Sequence, residues 1–146
     1  PHALAQGKLP TIHRSRYLLT EFAADSTPED FATALESILK QGYVPLIAHP
    51  ERYAAVCKRP ETVLQWLDMG CHLQLTGDSI MGRSGKIDFG KIMKQYRANG
   101  YNEIYVEYEL PFRIGDDEAE NERNLLQLWA GLKECYDFVV EQGYAY

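Results

Sequence analysis

Across its 146 residues the chain never holds an apolar run approaching the roughly 20 residues that a membrane-crossing helix needs. No secretory leader is expected either. It carries only three cysteines: Cys57, Cys71 and Cys135 are odd in number and lack ligand-like spacing, which fits reduced thiols in a cytoplasmic protein. A Walker-type phosphate loop, a glycine-rich dinucleotide fingerprint and a CxxC pair are all missing. Positive charge is in short supply, with 15 Lys and Arg against 21 Asp and Glu and a net charge of −6. That balance argues against nucleic acid or an anionic membrane as the main partner. It leaves a phosphate-bearing small substrate open, because one local basic group can serve it. The tyrosines are scattered and form no stacking platform for single strands.

What is present is enough for one domain with a real core. Pro1–His13 opens without methionine or strong pattern, as if cut from something longer. The apolar run Tyr17–Phe22 predicts a first, buried strand. Thr27, Pro28, Glu29 and Asp30 then form a helix start, with an N-cap, a proline at the first helical position and acids in the first turn. Phe31, Ala34, Leu35, Ile38 and Leu39 follow at helical spacing up to Gly42. Val44–Ala48 reads as a second strand, and a helix from about Pro60 carries Val63, Leu64 and Leu67 to Gly70. Cys71–Leu75 is the third strand. Asp88 caps a helix through Phe89, Ile92, Met93 and Tyr96 that stops at Gly100. Ile104–Val106 lies in the fourth strand. A long last helix from about Asp117 carries Leu125, Leu128, Trp129, Leu132 and Tyr136.

The order is βα four times, with Gly42, Gly70 and Gly100 closing successive helices. Right-handed crossovers make such a chain an α/β fold with a parallel sheet and helices outside. Four units are half of an eight-stranded barrel or a small open sheet. We expect a single domain over residues 1–146, a half-barrel whose open strand edges favour a homodimer.

The candidate chemistry sits at strand ends. His49-Pro50-Glu51-Arg52-Tyr53 follows the second strand at its C-terminal edge, where α/β sheets keep their sites. Proline after His49 disfavours helix there and stiffens the turn. A neutral imidazole is a good ligand for a divalent transition metal, and the planar fork of Arg52 can grip a phosphate. Glu21 ends a strand of apolar residues, where an inward carboxylate is costly unless it binds metal, hydrogen-bonds or meets water. Glu21 and His49 thus stand as two metal ligands at the same edge of adjacent strands. A polar loop and a solvated acid account for the same residues without any site. His13 and His72 are read as packing or surface residues, and the acidic run Asp116–Glu122 as a solvated helix start.

The segments SRYLLTEF, VPLIAHPERY, RPETVLQWLDMGCHLQLT and DSIMGRSG resemble the bacterial protein-tyrosine phosphatases of the polymerase-and-histidinol-phosphatase family, over roughly Leu9 to Gly85. That resemblance implies a manganese-type metallophosphatase on a distorted barrel, with Glu21 and His49 as metal ligands and Arg52 near the phosphate. The family's N-terminal histidine pair and its late serine-aspartate-alanine-histidine segment are not found in the chain. From about Thr76, Gly77-Asp78-Ser79, Gly85–Phe89, Asn99–Tyr101 and Val106-Glu107 are similar to the C-terminal end of xylose-isomerase-like sugar isomerases and epimerases. There Glu107 matches the glutamate that serves metal and proton transfer, Glu109 is a second candidate, and neither Gln74 nor Leu75 supplies the expected histidine.

Joining the middle of one family to the end of another leads to the expectation of an engineered or recombined scaffold. Its residues ~15–77 would be phosphatase-like and ~78–146 isomerase-like. Remnants of two sites, Arg52 and Glu107 as catalytic and Glu21, His49 and Glu107 as metal residues, would then give little or no catalysis, and no cofactor would be required. Two alternatives stand beside it. One is a divalent-metal phosphatase for phosphate monoesters or phosphotyrosine, using Glu21, His49, Glu107 and Asp78. The other is a sugar isomerase or epimerase acting through Glu107.

Overall fold

A computed structural model of the chain describes residues 11–83, 89–102, 104–108 and 115–144. Four strands, β1 (Tyr17–Thr20), β2 (Val44–Ala48), β3 (His72–Thr76) and β4 (Tyr105–Glu107), alternate with helices. The helices are α1 (Pro28–Lys40), α2 (Ala54–Lys58), α3 (Thr62–Asp68), α4 (Gly77–Ile80), α5 (Phe89–Ala98) and α6 (Glu118–Glu141). The strands form one parallel sheet in the order β1-β2-β3-β4. This is the α/β arrangement expected of four βα units. The register sets Thr20 beside Ile47, Ile47 beside Leu73 and Ala48 beside Gln74.

Local chemistry explains the boundaries. Thr27 accepts a hydrogen bond from the Asp30 backbone while the Asp30 carboxylate accepts from the Thr27 backbone, a reciprocal capping box, and Pro28 fills the first helical position. Gly42, Gly70 and Gly100 take φ of 83°, 92° and 86° after their helices, the left-handed stop that only glycine adopts freely.

Several limits differ from the pattern-based expectation. β1 ends at Thr20, before Glu21 and Phe22, and Leu19 is 52% exposed, so this strand is not buried throughout. β3 and β4 each lie one residue later than expected. A five-residue helix, α2, precedes the one predicted from Pro60, which itself starts at Thr62. Gly77–Ile80 forms a helical turn directly after β3. The expected cap Asp88 and the second candidate acid Glu109 lie outside the described residues.

The chain divides into two compact units, Pro1–Gln74 and Leu75–Tyr146. The first is built on aromatic packing. Phe31, fully buried on α1, stands 4.6 Å from the Phe22 ring, 5.2 Å from Tyr53 and 4.8 Å from Trp66. Leu35, Ile47 and Leu67 are buried in the same core. In the second unit, Ile80, Phe89, Met93, Tyr96, Cys135 and Tyr144 are buried, and the Tyr144 hydroxyl donates to the Met93 carbonyl at 2.9 Å.

Candidate metal-binding turn after the second strand

All five residues of β2 are buried, as expected of a strand covered on both faces. The ladder runs one bond beyond it: the His49 N–H donates to the Gln74 carbonyl at 2.7 Å. There the chain must turn. Pro50 starts a 3-10 turn, Pro50–Arg52, and disfavours the right-handed helical region for His49. The backbone answers with a left-handed His49, at φ 33° and ψ 58°, a conformation that costs a non-glycine residue about 1–2 kcal/mol. The His49 carbonyl, accepting from the Arg52 N–H at 3.0 Å, helps hold that shape.

The turn buries most of the His49 side chain, at 12% exposure, and aims Nε2 at Glu21, whose Oε1 lies 3.3 Å away. Glu21 is far more open, at 68%. The Nδ1 of His49 is buried and has no hydrogen-bond partner among the described residues. Glu51 is buried in the same turn and Arg52 is exposed.

The residue that pattern reading passed over is Tyr53, the end of the same motif. Only 1% exposed, its hydroxyl donates to the Ala48 carbonyl at 2.8 Å and accepts from the Phe22 N–H at 3.1 Å. Burial raises its phenol above the ordinary tyrosine range, and the charges of Glu21 and Glu51 raise it further against the opposing bond from Phe22. The available signal was a tyrosine five residues past a buried strand, whose hydroxyl needs a partner if the ring is buried.

Of the other predicted residues, Glu107 is half-buried in β4, in the second unit. Asp78, exposed on α4, lies 3.7 Å from the Arg83 guanidinium. No group of three or more His, Cys, Asp or Glu side chains poised to hold a metal occurs among the described residues. The His49–Glu21 pair nonetheless fits one ion. Two ligands about 2.1 Å from a metal at a near-tetrahedral angle stand about 3.4 Å from each other.

A family model for capsular polysaccharide synthesis, CpsB/CapC, matches residues 1–104. The chain belongs to this family. The CpsB tyrosine-protein phosphatase of Streptococcus pneumoniae is 39% identical over 72 residues, covering 49% of this chain and 30% of that protein. A structure from the work on YwqE of Bacillus subtilis and CpsB of Streptococcus pneumoniae, described as metal-dependent tyrosine phosphatases, matches with a TM-score of 0.56 and 27% identity. It covers 71% of this chain and 42% of the other. A 3-keto-D-glucoside 4-epimerase from E. coli reaches a TM-score of only 0.32 at 16% identity, too little to support the isomerase-like reading.

The match to the CpsB relative thus spans about a third of that protein's length. Two expectations fall here. The engineered scaffold without catalysis is overturned, because the CpsB/CapC match runs unbroken through the predicted junction near Thr76 and the relatives are tyrosine phosphatases. The expectation that no cofactor is required falls with it, since the CpsB and YwqE structures are of metal-dependent enzymes. No helix among the described residues is long and apolar enough to cross a membrane.

Proposed function

We propose that this chain carries part of the active site of a metal-dependent phosphatase acting on phosphotyrosine or related aryl phosphate monoesters. The 3.3 Å approach of His49 Nε2 to Glu21 Oε1 is the observation that carries the reading. Membership of the CpsB/CapC family supports it. A divalent ion bound there would supply Lewis acidity toward a phosphoryl oxygen and lower the pKa of a coordinated water.

The residues of the chain have distinct tasks. His49 offers a ring nitrogen from a turn whose backbone is already fixed, so little ordering remains to be done on binding. Glu21 brings the negative charge that a cation needs. Arg52, one residue before the end of the same motif, offers a planar fork of N–H donors suited to a phosphate. Two ligands do not complete a site, and the remaining positions are left to water, substrate or other donors.

The test is calorimetric titration of manganese into metal-stripped protein, beside hydrolysis of a generic aryl phosphate, for the parent chain and His49→Ala. Manganese binding and manganese-dependent turnover in the parent, both lost in the variant, are expected. Equal manganese binding by parent and variant would remove the proposal.

A further inference from the structure

β1 stops at Thr20, which pairs with Ile47, and Glu21 therefore lies one residue beyond the sheet register. His49 lies one residue beyond β2. The ladder still holds His49 through its N–H bond to the Gln74 carbonyl, whereas the β1 register ends at Thr20, before Glu21, so the 3.3 Å separation needs a restraint that ties the chain after β1 to this turn. One oxygen atom supplies it beside the pair itself, with the Ala54 N–H bond to the Ala24 carbonyl at 2.8 Å a few residues further out. The Tyr53 hydroxyl accepts from the N–H of Phe22, the residue directly after Glu21, at 3.1 Å. It donates to the carbonyl of Ala48, the residue directly before His49, at 2.8 Å.

The ring beneath this oxygen is itself wedged. It lies 6.0 Å from Phe22 at 87°, 5.2 Å from Phe31 at 45° and 6.2 Å from the His49 imidazole at 58°. A tyrosine has only two side-chain torsions, so a ring packed on several sides fixes the position of its hydroxyl closely. A tyrosine phenol is protonated at neutral pH in any case, and only the protonated form can donate to Ala48.

We propose that Tyr53 is the positioning residue of this site: its hydroxyl, more than its ring, ties the backbone beside Glu21 to the backbone beside His49 and so sets the spacing of the two donors. The consequence for metal binding rests on the phosphatase reading; the geometric claim does not.

Tyr53→Phe keeps the ring and removes both bonds, and Leu35→Ala serves as a variant that loosens the core without touching the strap. Two readouts are compared on metal-free protein: the nuclear Overhauser effect between the His49 ring and the Glu21 side chain, and the exchange rate of the Phe22 amide. Manganese affinity is measured by calorimetry on the same samples. In Tyr53→Phe the Overhauser effect should weaken, the Phe22 amide should exchange at least about 10-fold faster, and manganese affinity should fall roughly 10–100-fold, the range for losing an outer partner of a metal ligand. Leu35→Ala should lower stability and leave the Overhauser effect and the affinity near parental values. An unchanged Overhauser effect in Tyr53→Phe would overturn the proposal, as would an equal loss in Leu35→Ala. Were the parent to bind no manganese while Tyr53→Phe still lost the Overhauser effect, the phosphatase reading would fall and the strap would stand.

Discussion

The ring of Phe31 on α1 lies 5.2 Å from the ring of Tyr53, tilted by 45°, so the core of the first unit and its candidate metal turn share a wall. Phe31 is fully buried and also meets Phe22 and Trp66. Truncating it removes a large apolar side chain and leaves a cavity that rings this size cannot easily close. Phe31→Ala should cost about 3–5 kcal/mol, read from urea denaturation. A loss below about 1 kcal/mol would mean that this aromatic cluster is not the core.

The capping box at the start of α1 carries its own signature. Thr27→Ala removes a side-chain acceptor for the Asp30 N–H and should cost about 1 kcal/mol, again by denaturant titration. The Asp30 carboxyl is held below the usual range, first by the backbone N–H of Thr27 and then by its hydroxyl. A lowered folded pKa means that its contribution is present above the unfolded value and is lost as pH falls through the folded one. Asp30→Asn should therefore flatten the acid side of the stability–pH curve below about pH 4. An unchanged curve would show that the box adds nothing.

Gly131 in α6 sets two effects against each other. Glycine to alanine inside a helix ordinarily gains about 1 kcal/mol. Here an added Cβ would overlap the ring and hydroxyl of Tyr108, and overpacking typically costs about 1–3 kcal/mol. Steric cost should win, and Gly131→Ala should lower the melting temperature. A rise would mean that Tyr108 moves aside freely.

The three thiols should separate by burial. Cys57 is exposed, whereas Cys71 and Cys135 are buried. Desolvation lifts the Cys71 thiol to about 12 and raises that of Cys135 as well, so neither offers a thiolate at neutral pH. A thiol-specific chromogenic reagent should titrate one cysteine quickly in native protein and three after denaturation. Because the folded thiols ionise later than the unfolded ones, their contribution is complete below the unfolded pKa and declines as pH rises toward about 12. Three equally fast thiols in the native protein would contradict the buried placement.

Much of the architecture can be read along the chain because its signals are local. Thr27, Pro28 and Asp30 start a helix through atoms three residues apart, and Gly42, Gly70 and Gly100 stop helices through their own φ. The alternation of helix and strand periods then leaves a parallel sheet as the natural topology. His49 and Glu21 were legible as candidates for the same kind of reason: polar groups of ligand type at the ends of apolar strands. The short helix Ala54–Lys58 was missed because five residues without a capping side chain leave no periodic trace. The recombined-scaffold reading failed by weighing short resemblances separately, whereas the family likeness is continuous over residues 1–104.

Residue types and their spacing were therefore sufficient for the βα order and for two of the atoms that stand together in the turn. Tertiary packing was needed for everything that depends on distance between remote residues. It places Glu21 3.3 Å from His49, 28 positions away in the chain, and brings Phe22, Ala48 and Tyr53 onto one hydroxyl oxygen. It also turns Leu19 partly outward in a strand of apolar composition. A side chain's type states what bonds it can make, but its partner is chosen by the crossover that carries two strand ends to the same edge.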